Sequence, residues 1–502
     1  MPDILNNIIE CLTYNPAEPM IFSSGVFMWL FLAFTLVYMS MGRTTTLRLL
    51  FVTLFSYYFY YKSSGIYFFL LAVVTLSDFL IAKAIGGARK RLYARLWLTV
   101  SIVIDLGLLA YFKYTNFFGQ LIADITNRHF DSLDIFLPVG ISFFTFQSLS
   151  YTIDVYRKQI SPLSNLLDYA FYVSFFPQLV AGPIVRARDF LPQIRRPLNI
   201  THEMVGIGTF YIVGGLFKKA VISDYISINF VERVFDQPAL YSGIENLMAV
   251  YGYALQIYCD FSGYSDMAIG IAMLLGFQFP QNFNAPYKAT SMSEFWHRWH
   301  ISLSSWLKDY LYISLGGNRH GRMRQYINLM ITMLLGGLWH GASLNFILWG
   351  GLHGIILCAD KTWQRICPKL SPLKKRDQPA RHGVIHTMTV TASGLITFHL
   401  VCLAWILFRC QSMDDAIRMV TQIFTHFQPQ VAMQLITGYW AVVALICLGY
   451  IMHFMPQRLS EKVRNLMAQL PLPVLALTII AVIYFVIQIK TSEVQPFIYF
   501  QF

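Results

Sequence analysis

Charged side chains are scarce in this chain: Asp, Glu, Lys and Arg make up 13% of its 502 residues, where a soluble globular protein carries about a quarter. With 56% hydrophobic residues and a mean hydropathy of +0.51, that scarcity excludes an ordinary soluble enzyme and a disordered chain alike. Paired cysteines are lacking too. Cys11, Cys259, Cys358, Cys367, Cys402, Cys410 and Cys447 are scattered with no CxxC pair, so neither a disulfide framework nor a thiolate metal cluster is predicted. The opening MPDILNNIIECLTYNPAEP has no basic region ahead of an apolar run and no small-residue cleavage site. The first hydrophobic span is therefore expected to stay in the mature protein. No Ca²⁺ loop, P-loop, dinucleotide fingerprint, zincin helix or nucleophile elbow occurs, and no metal site or bound cofactor is predicted.

What the chain does have is apolar runs near the length that crosses a bilayer core of about 30 Å. They lie at 25–41, 46–61, 64–84, 96–112, 136–154 and 166–182, then at 204–222, 244–277 (read as two), 326–358 (two, broken by Gly and His), 385–408, 437–455 and 470–488. The reading is one all-α polytopic membrane domain over 1–502, with roughly ten to thirteen helices, some of them re-entrant. No fixed-period repeat or duplicated half is visible.

Lys and Arg total 38 against 26 Asp and Glu, a formal charge of +12. The basic residues cluster between apolar spans, which marks cytoplasmic loops and excludes a nucleic-acid interface. Arg43, Arg48, Arg89, Lys90, Arg91 and Arg95 set the inside, while the loop 113–134, with Asp124, Asp131 and Asp134, is expected outside. The alternation then fails, because Arg157 and Lys158 stand on one side of a short segment and Arg186, Arg188, Arg195 and Arg196 on the other. A re-entrant hairpin at 166–182 explains this. The stretch 285–324 interrupts the apolar pattern yet is crowded with Trp296, Trp299, Trp306, Tyr310 and Tyr312, which reads as an interfacial region. A second polar stretch, 361–382, reads as a cytoplasmic loop, and the aromatic tail 490–502 as an interfacial anchor or a fold-back.

Two histidines stand out. His340 lies inside an apolar run, in GGLWHG, and His300 in FWHRWHISLSSW. An ionisable group at that depth is costly without a partner or a polar cavity, which makes it a functional candidate, and a neutral imidazole suits proton abstraction near pH 7. The competing reading is a packed histidine bonded to a backbone carbonyl; for His297, His320, His353 and His399 that plain reading is preferred. Gly336, Gly337 and Gly341 permit close helix approach around His340. Asp260 and Asp266, in YCDFSGYSDMAIG, are read as helix caps, as partners of Arg298 or as lining of a polar funnel, with capping or pairing preferred.

Several segments together carry a resemblance: FSS (Phe22–Ser24), YFKYTNF (Tyr111–Phe117), LPVGISFFTFQSLSYTIDVYR (Leu137–Arg157), AGPIVR (Ala181–Arg186), DFSGYSDMAIG (Asp260–Gly270), FWHRWHISLSSWLKDYLYI (Phe295–Ile313), GGLWHG (Gly336–Gly341) and the closing PFIYFQF. With them the chain resembles the bacterial membrane-bound O-acyltransferases, in the branch of the alginate and peptidoglycan O-acetylating membrane proteins, with teichoic-acid D-alanyl transfer more distant. The resemblance implies a helical ring or funnel thinned at its centre in the cytoplasmic (inner) membrane. It also implies transfer of an acyl group, foremost acetyl, from a cytoplasmic thioester (acetyl coenzyme A or an acyl carrier protein) to hydroxyls of an extracytoplasmic polysaccharide. His340 takes the role of general base and His300 supports it. His297 departs from the family pattern, which places Arg or Lys there.

By charge pattern and not by resemblance, Arg298, Lys308 and Arg319 carry the inside signature and are candidates for the donor's phosphates; lipid-headgroup anchoring is the alternative. Tyr499 is either an interfacial anchor or an acyl relay near His340. The expected partners are membrane lipids, an extracytoplasmic esterase-like protein and a cytoplasmic carrier protein. D-alanyl or other acyl transfer, and a transporter or scaffold role without catalysis, remain as alternatives.

Overall fold

The computed structural model describes residues 9–16, 19–41, 44–366 and 384–489, and every element among them is helical. Four helices are long and apolar enough to cross a membrane: Thr45–Gly87, Arg91–Thr126, His202–Asp236 and Thr387–Arg409. A fifth crossing arises if Pro429–Gly438 and Trp440–Phe454, bent by 94°, count as one span. The elements are more numerous than ten to thirteen because several expected spans are divided into short helices. The outward faces are apolar: Val103 is 64% and Ile122 61% exposed on Arg91–Thr126. Such a surface is stable only against lipid.

The helix Gly25–Ser40 starts at Ser24, whose hydroxyl accepts the backbone N–H of Phe27 at 3.3 Å. Helix Arg91–Thr126 runs well past the expected end at 112. Its 36 residues span ~54 Å, and it stops where Asn127 adopts the left-handed conformation (φ 50°, ψ 41°). Only the remainder of the expected outer loop, 127–134, is non-helical. Lys113 thus sits within a helix rather than at its outer end.

The segment read as two spans over 244–277 is one unbroken helix, Gly243–Leu274, opened by a capping box between Ser242 and Glu245. It packs against His202–Leu216 through glycine: a Cβ on Gly215 would lie 2.5 Å from the carbonyl oxygen of Gly263, so the two backbones touch directly.

At 166–182 the chain forms Leu166–Ser174 and Phe176–Leu179, broken at Phe175. Residues 171–187 are all buried. These helices are too short to span, and they lie in the core as a re-entrant segment would. In the 285–324 region the aromatics turn inward instead of forming an interfacial stripe: Trp299, Trp306 and Tyr310 are buried, and Trp296 and Tyr312 half-buried. Phe146 stacks on Trp306 with ring centroids 3.8 Å apart, which shows why: these rings fill the core. Of the polar stretch 361–382, residues 361–366 continue the helix Leu344–Ile366. The rest of that stretch, and the tail with Tyr499, lie outside the described residues.

Candidate active site

His340 is the last residue of the helix Gly321–His340, and the partner helix Leu344–Ile366 begins four residues on. The tight hairpin depends on glycine. A Cβ on Gly337 would meet the Phe346 carbonyl oxygen at 2.2 Å and the Cα of Gly350 at 3.1 Å, so a larger residue would force the pair apart. His340 is buried and walled by aromatic rings, with centroids of Trp339 and Trp349 at 5.0 Å and Phe408 at 5.3 Å.

His300 is fully buried and sits on the same Trp339, 6.0 Å from its ring. Its backbone is left-handed (φ 43°, ψ 55°), an uncommon state for a residue other than glycine. The side chain of Asn282 accounts for its placement. Asn282 Oδ1 accepts from the Ser302 N–H at 3.1 Å and the Ser302 hydroxyl at 2.9 Å, and stands 3.2 Å from His300 Nδ1. An oxygen cannot donate, so His300 Nδ1 carries the proton and Nε2 is the basic nitrogen. Nε2 has no hydrogen-bond partner among the described residues. Phe261 meets the imidazole edge-on at 4.5 Å.

His353 joins the same aromatic box, 4.6 Å from Trp349 and 5.1 Å from Trp296, and neither of its nitrogens has a hydrogen-bond partner among the described residues. The sequence motifs thus converge: His340, His300 and His353 lie in one aromatic cluster built on Trp339 and Trp349, and Lys113 Nζ reaches the His340 carbonyl at 2.9 Å. Sequence reasoning missed Asn282, whose only signal is a polar residue in QNFNAP, and Lys113, which it assigned to a loop.

The donor candidates are not brought together. Arg298 is tied to Glu294 at 2.8 Å and donates to the Asn284 carbonyl at 3.0 Å, while Lys308 and Arg319 are exposed. Asp260 and Asp266 are charge partners, as read, but of lysines and not of Arg298. Lys219 pairs with Asp260 and, at 2.9 Å, with Asp224; Lys218 pairs with Asp266 at 2.6 Å. Both lysines lie on a π-helical stretch, Phe217–Ser223, whose wider turn places successive lysines against one helix. Lys218 and Asp266 line a cavity of about 490 Å³ together with His453, Lys288 and Arg464.

A further network joins three of the sequence motifs. Arg186 pairs with Asp309, Arg157 donates to the Asp309 carbonyl at 3.1 Å, and the Tyr310 hydroxyl donates to Asp154 at 3.0 Å. It anchors the short helices of 285–324 to the buried helix Ile141–Tyr156.

Three buried histidines held in one aromatic cluster of an apolar helical chain form the candidate site, and comparison with known proteins gives the family that carries it. The chain belongs to the membrane-bound O-acyltransferase family (MBOAT), whose model matches residues 105–398. It is similar to the probable alginate O-acetylase AlgI of Azotobacter vinelandii, 40% identical over 413 residues, which are 81% of this chain and 78% of that protein. It is 38% identical to the peptidoglycan O-acetyltransferase of Helicobacter pylori over 369 residues, 68% of this chain and 67% of that one. The teichoic acid D-alanyltransferase of Bacillus subtilis is 27% identical over 284 residues, 54% of this chain and 68% of the other. This chain is an acyltransferase of the membrane.

Proposed function

We propose that the protein moves an acetyl group from a cytoplasmic thioester, acetyl coenzyme A or an acylated carrier protein, to hydroxyls destined for an extracytoplasmic polysaccharide, in the cytoplasmic membrane. The observation that carries this reading is His340: a buried imidazole at a helix break, inside a chain of O-acyltransferase ancestry. His340 takes the proton of the acceptor hydroxyl as its oxygen attacks the thioester carbonyl. The C–O bond forms, the C–S bond breaks, and the departing thiolate receives the proton. A positioned base of this kind contributes about 10²–10⁴-fold.

His300 supports the site through the Trp339 that both histidines touch, with Nε2 free to accept a hydrogen bond. Arg298, Lys308 and Arg319 mark the cytoplasmic side in this reading, and modification of a cysteine placed at Arg319 from outside intact cells would contradict it. Tyr499 would act as acyl relay if its hydroxyl reaches His340: Tyr499→Phe loses activity under the relay and keeps it under the anchor. An esterase-like extracytoplasmic partner completes delivery to the polymer. D-alanyl transfer is the second reading, favoured by the teichoic acid D-alanyltransferase among the relatives.

The test is polymer O-acetyl content in cells carrying His340→Ala at normal protein levels. Loss of O-acetyl groups is expected; wild-type acetylation would reduce the protein to a scaffold.

A further inference from the structure

The helix that carries His340 ends without the usual closure. The last four carbonyls of an α-helix have no partner within it, and a left-handed residue just past the end commonly satisfies them through backbone N–H groups. Here the next residue, Gly341, is extended (φ −162°, ψ 157°), so that closure is not made. Donors come instead from one turn of the helix Arg91–Thr126. The Tyr114 hydroxyl donates to the Leu338 carbonyl at 2.8 Å, and Lys113 Nζ donates to Trp339 at 2.7 Å and to His340 at 2.9 Å. Three consecutive carbonyls at the His340 end are thus held by two adjacent side chains of a neighbouring span.

We propose that Lys113, with Tyr114 beside it, is a positioning residue for acyl transfer: it clamps the turn that carries His340 and fixes where the imidazole meets the substrate. Three observations favour this over plain packing. An ammonium within a span is costly, and two carbonyls reached from outside their own helix are a specific return for it. The positive charge stands at the negative end of the helix dipole, where it is most favourable. The same side chain borders a cavity of about 90 Å³ with Trp339 and residues 137–143, at the start of the helix Ile141–Tyr156, so it lies at the edge of the site and not within a packed seam. The hairpin itself is locked elsewhere, through Gly337 and Gly350. The clamp therefore acts on the last turn and not on the fold.

This inference rests on His340 being the base, and the experiment separates the two. The full-length chain, reconstituted in lipid vesicles with labelled acetyl coenzyme A and the hydroxyl acceptor, is compared with Lys113→Met, Lys113→Arg, Tyr114→Phe and His340→Ala. In Lys113→Met, kcat falls about 10²-fold, the loss that follows a displacement of about 1 Å at a reacting group, while the KM for the thioester and the melting curve stay as in the parent. Lys113→Arg recovers most of the rate, because a guanidinium still supplies donors to both carbonyls. Parent-like kcat in Lys113→Met, with His340→Ala inactive, overturns the clamp and leaves the base. Parent-like kcat in His340→Ala overturns the base and the clamp with it. Should Lys113→Met fail to fold, Tyr114→Phe decides, since it removes one hydroxyl alone: a several-fold lower kcat with unchanged melting supports the clamp, and a parent-like kcat overturns it.

Discussion

Asn282 Oδ1 stands 3.2 Å from His300 Nδ1 and also accepts from both the backbone and the hydroxyl of Ser302. One amide oxygen therefore fixes the tautomer of the imidazole and the start of the helix Ile301–Trp306 that follows it. Removing it in Asn282→Ala frees the ring to rotate and leaves a buried N–H and hydroxyl without an acceptor. Acetyl transfer is expected to fall roughly 10- to 100-fold, the size of effect seen when a hydrogen bond that orients a metal-ligating histidine is lost. Transfer rates of the purified variant check this.

Gly337→Ala drives a methyl group to 2.2 Å from the Phe346 carbonyl oxygen, against backbone that cannot yield. The hairpin must open, at a cost of about 1–3 kcal/mol, and the His340 turn moves with it. At Gly336 the nearest atom is the flexible end of Leu307, 3.3 Å away. Thermal melting in detergent should therefore show Gly337→Ala well below the parent and Gly336→Ala close to it.

Lys219 and Asp260 are each only 3% exposed in their side chains, and Lys219 also reaches Asp224 at 2.9 Å. Lys219→Met withdraws the cation from two carboxylates, and breaking a buried pair this way costs about 3–5 kcal/mol. Lys218 and Asp266 are more open, at 22% and 19%. The expected order of folded yield, measured by fluorescence-detected size exclusion, is parent, then Lys218→Met, then Lys219→Met.

His353 meets Trp349 and Trp296 edge-to-face, with neither nitrogen bonded among the described residues. A buried polar group without a partner destabilises, so an apolar ring of similar shape should serve as well or better. His353→Phe is expected to keep the transfer rate within about twofold and the melting temperature at or above the parent, as measured side by side; a rate loss near that of His340→Ala would give this third histidine a chemical role.

The helical membrane class and the burial of His340 at a glycine-lined helix end were legible in the sequence because hydropathy and an ionisable residue among glycines carry direct physical meaning. Where the reading failed, it failed at charges that the fold neutralises. Lys113 ended a span in the hydropathy pattern, yet its ammonium is spent on the carbonyls of Trp339 and His340, so the helix continues. Asp260 and Asp266 divided 244–277 into two, yet Lys219 and Lys218 supply their countercharge and the helix runs unbroken. Trp299 and Trp306 looked interfacial because aromatic residues serve both at the lipid boundary and in a core, and only the packing separates the two uses. Asn282 had no motif of its own; its role comes from residues distant in the sequence.

The most direct measurement is transfer of labelled acetyl from acetyl coenzyme A by the purified protein in lipid vesicles, parent against His340→Gln, which keeps a polar side chain at that position and removes the basic nitrogen. The account predicts that the variant inserts, folds and melts like the parent while its rate falls about 10²–10⁴-fold. A His340→Gln protein that transfers acetyl at close to the parent rate would contradict it.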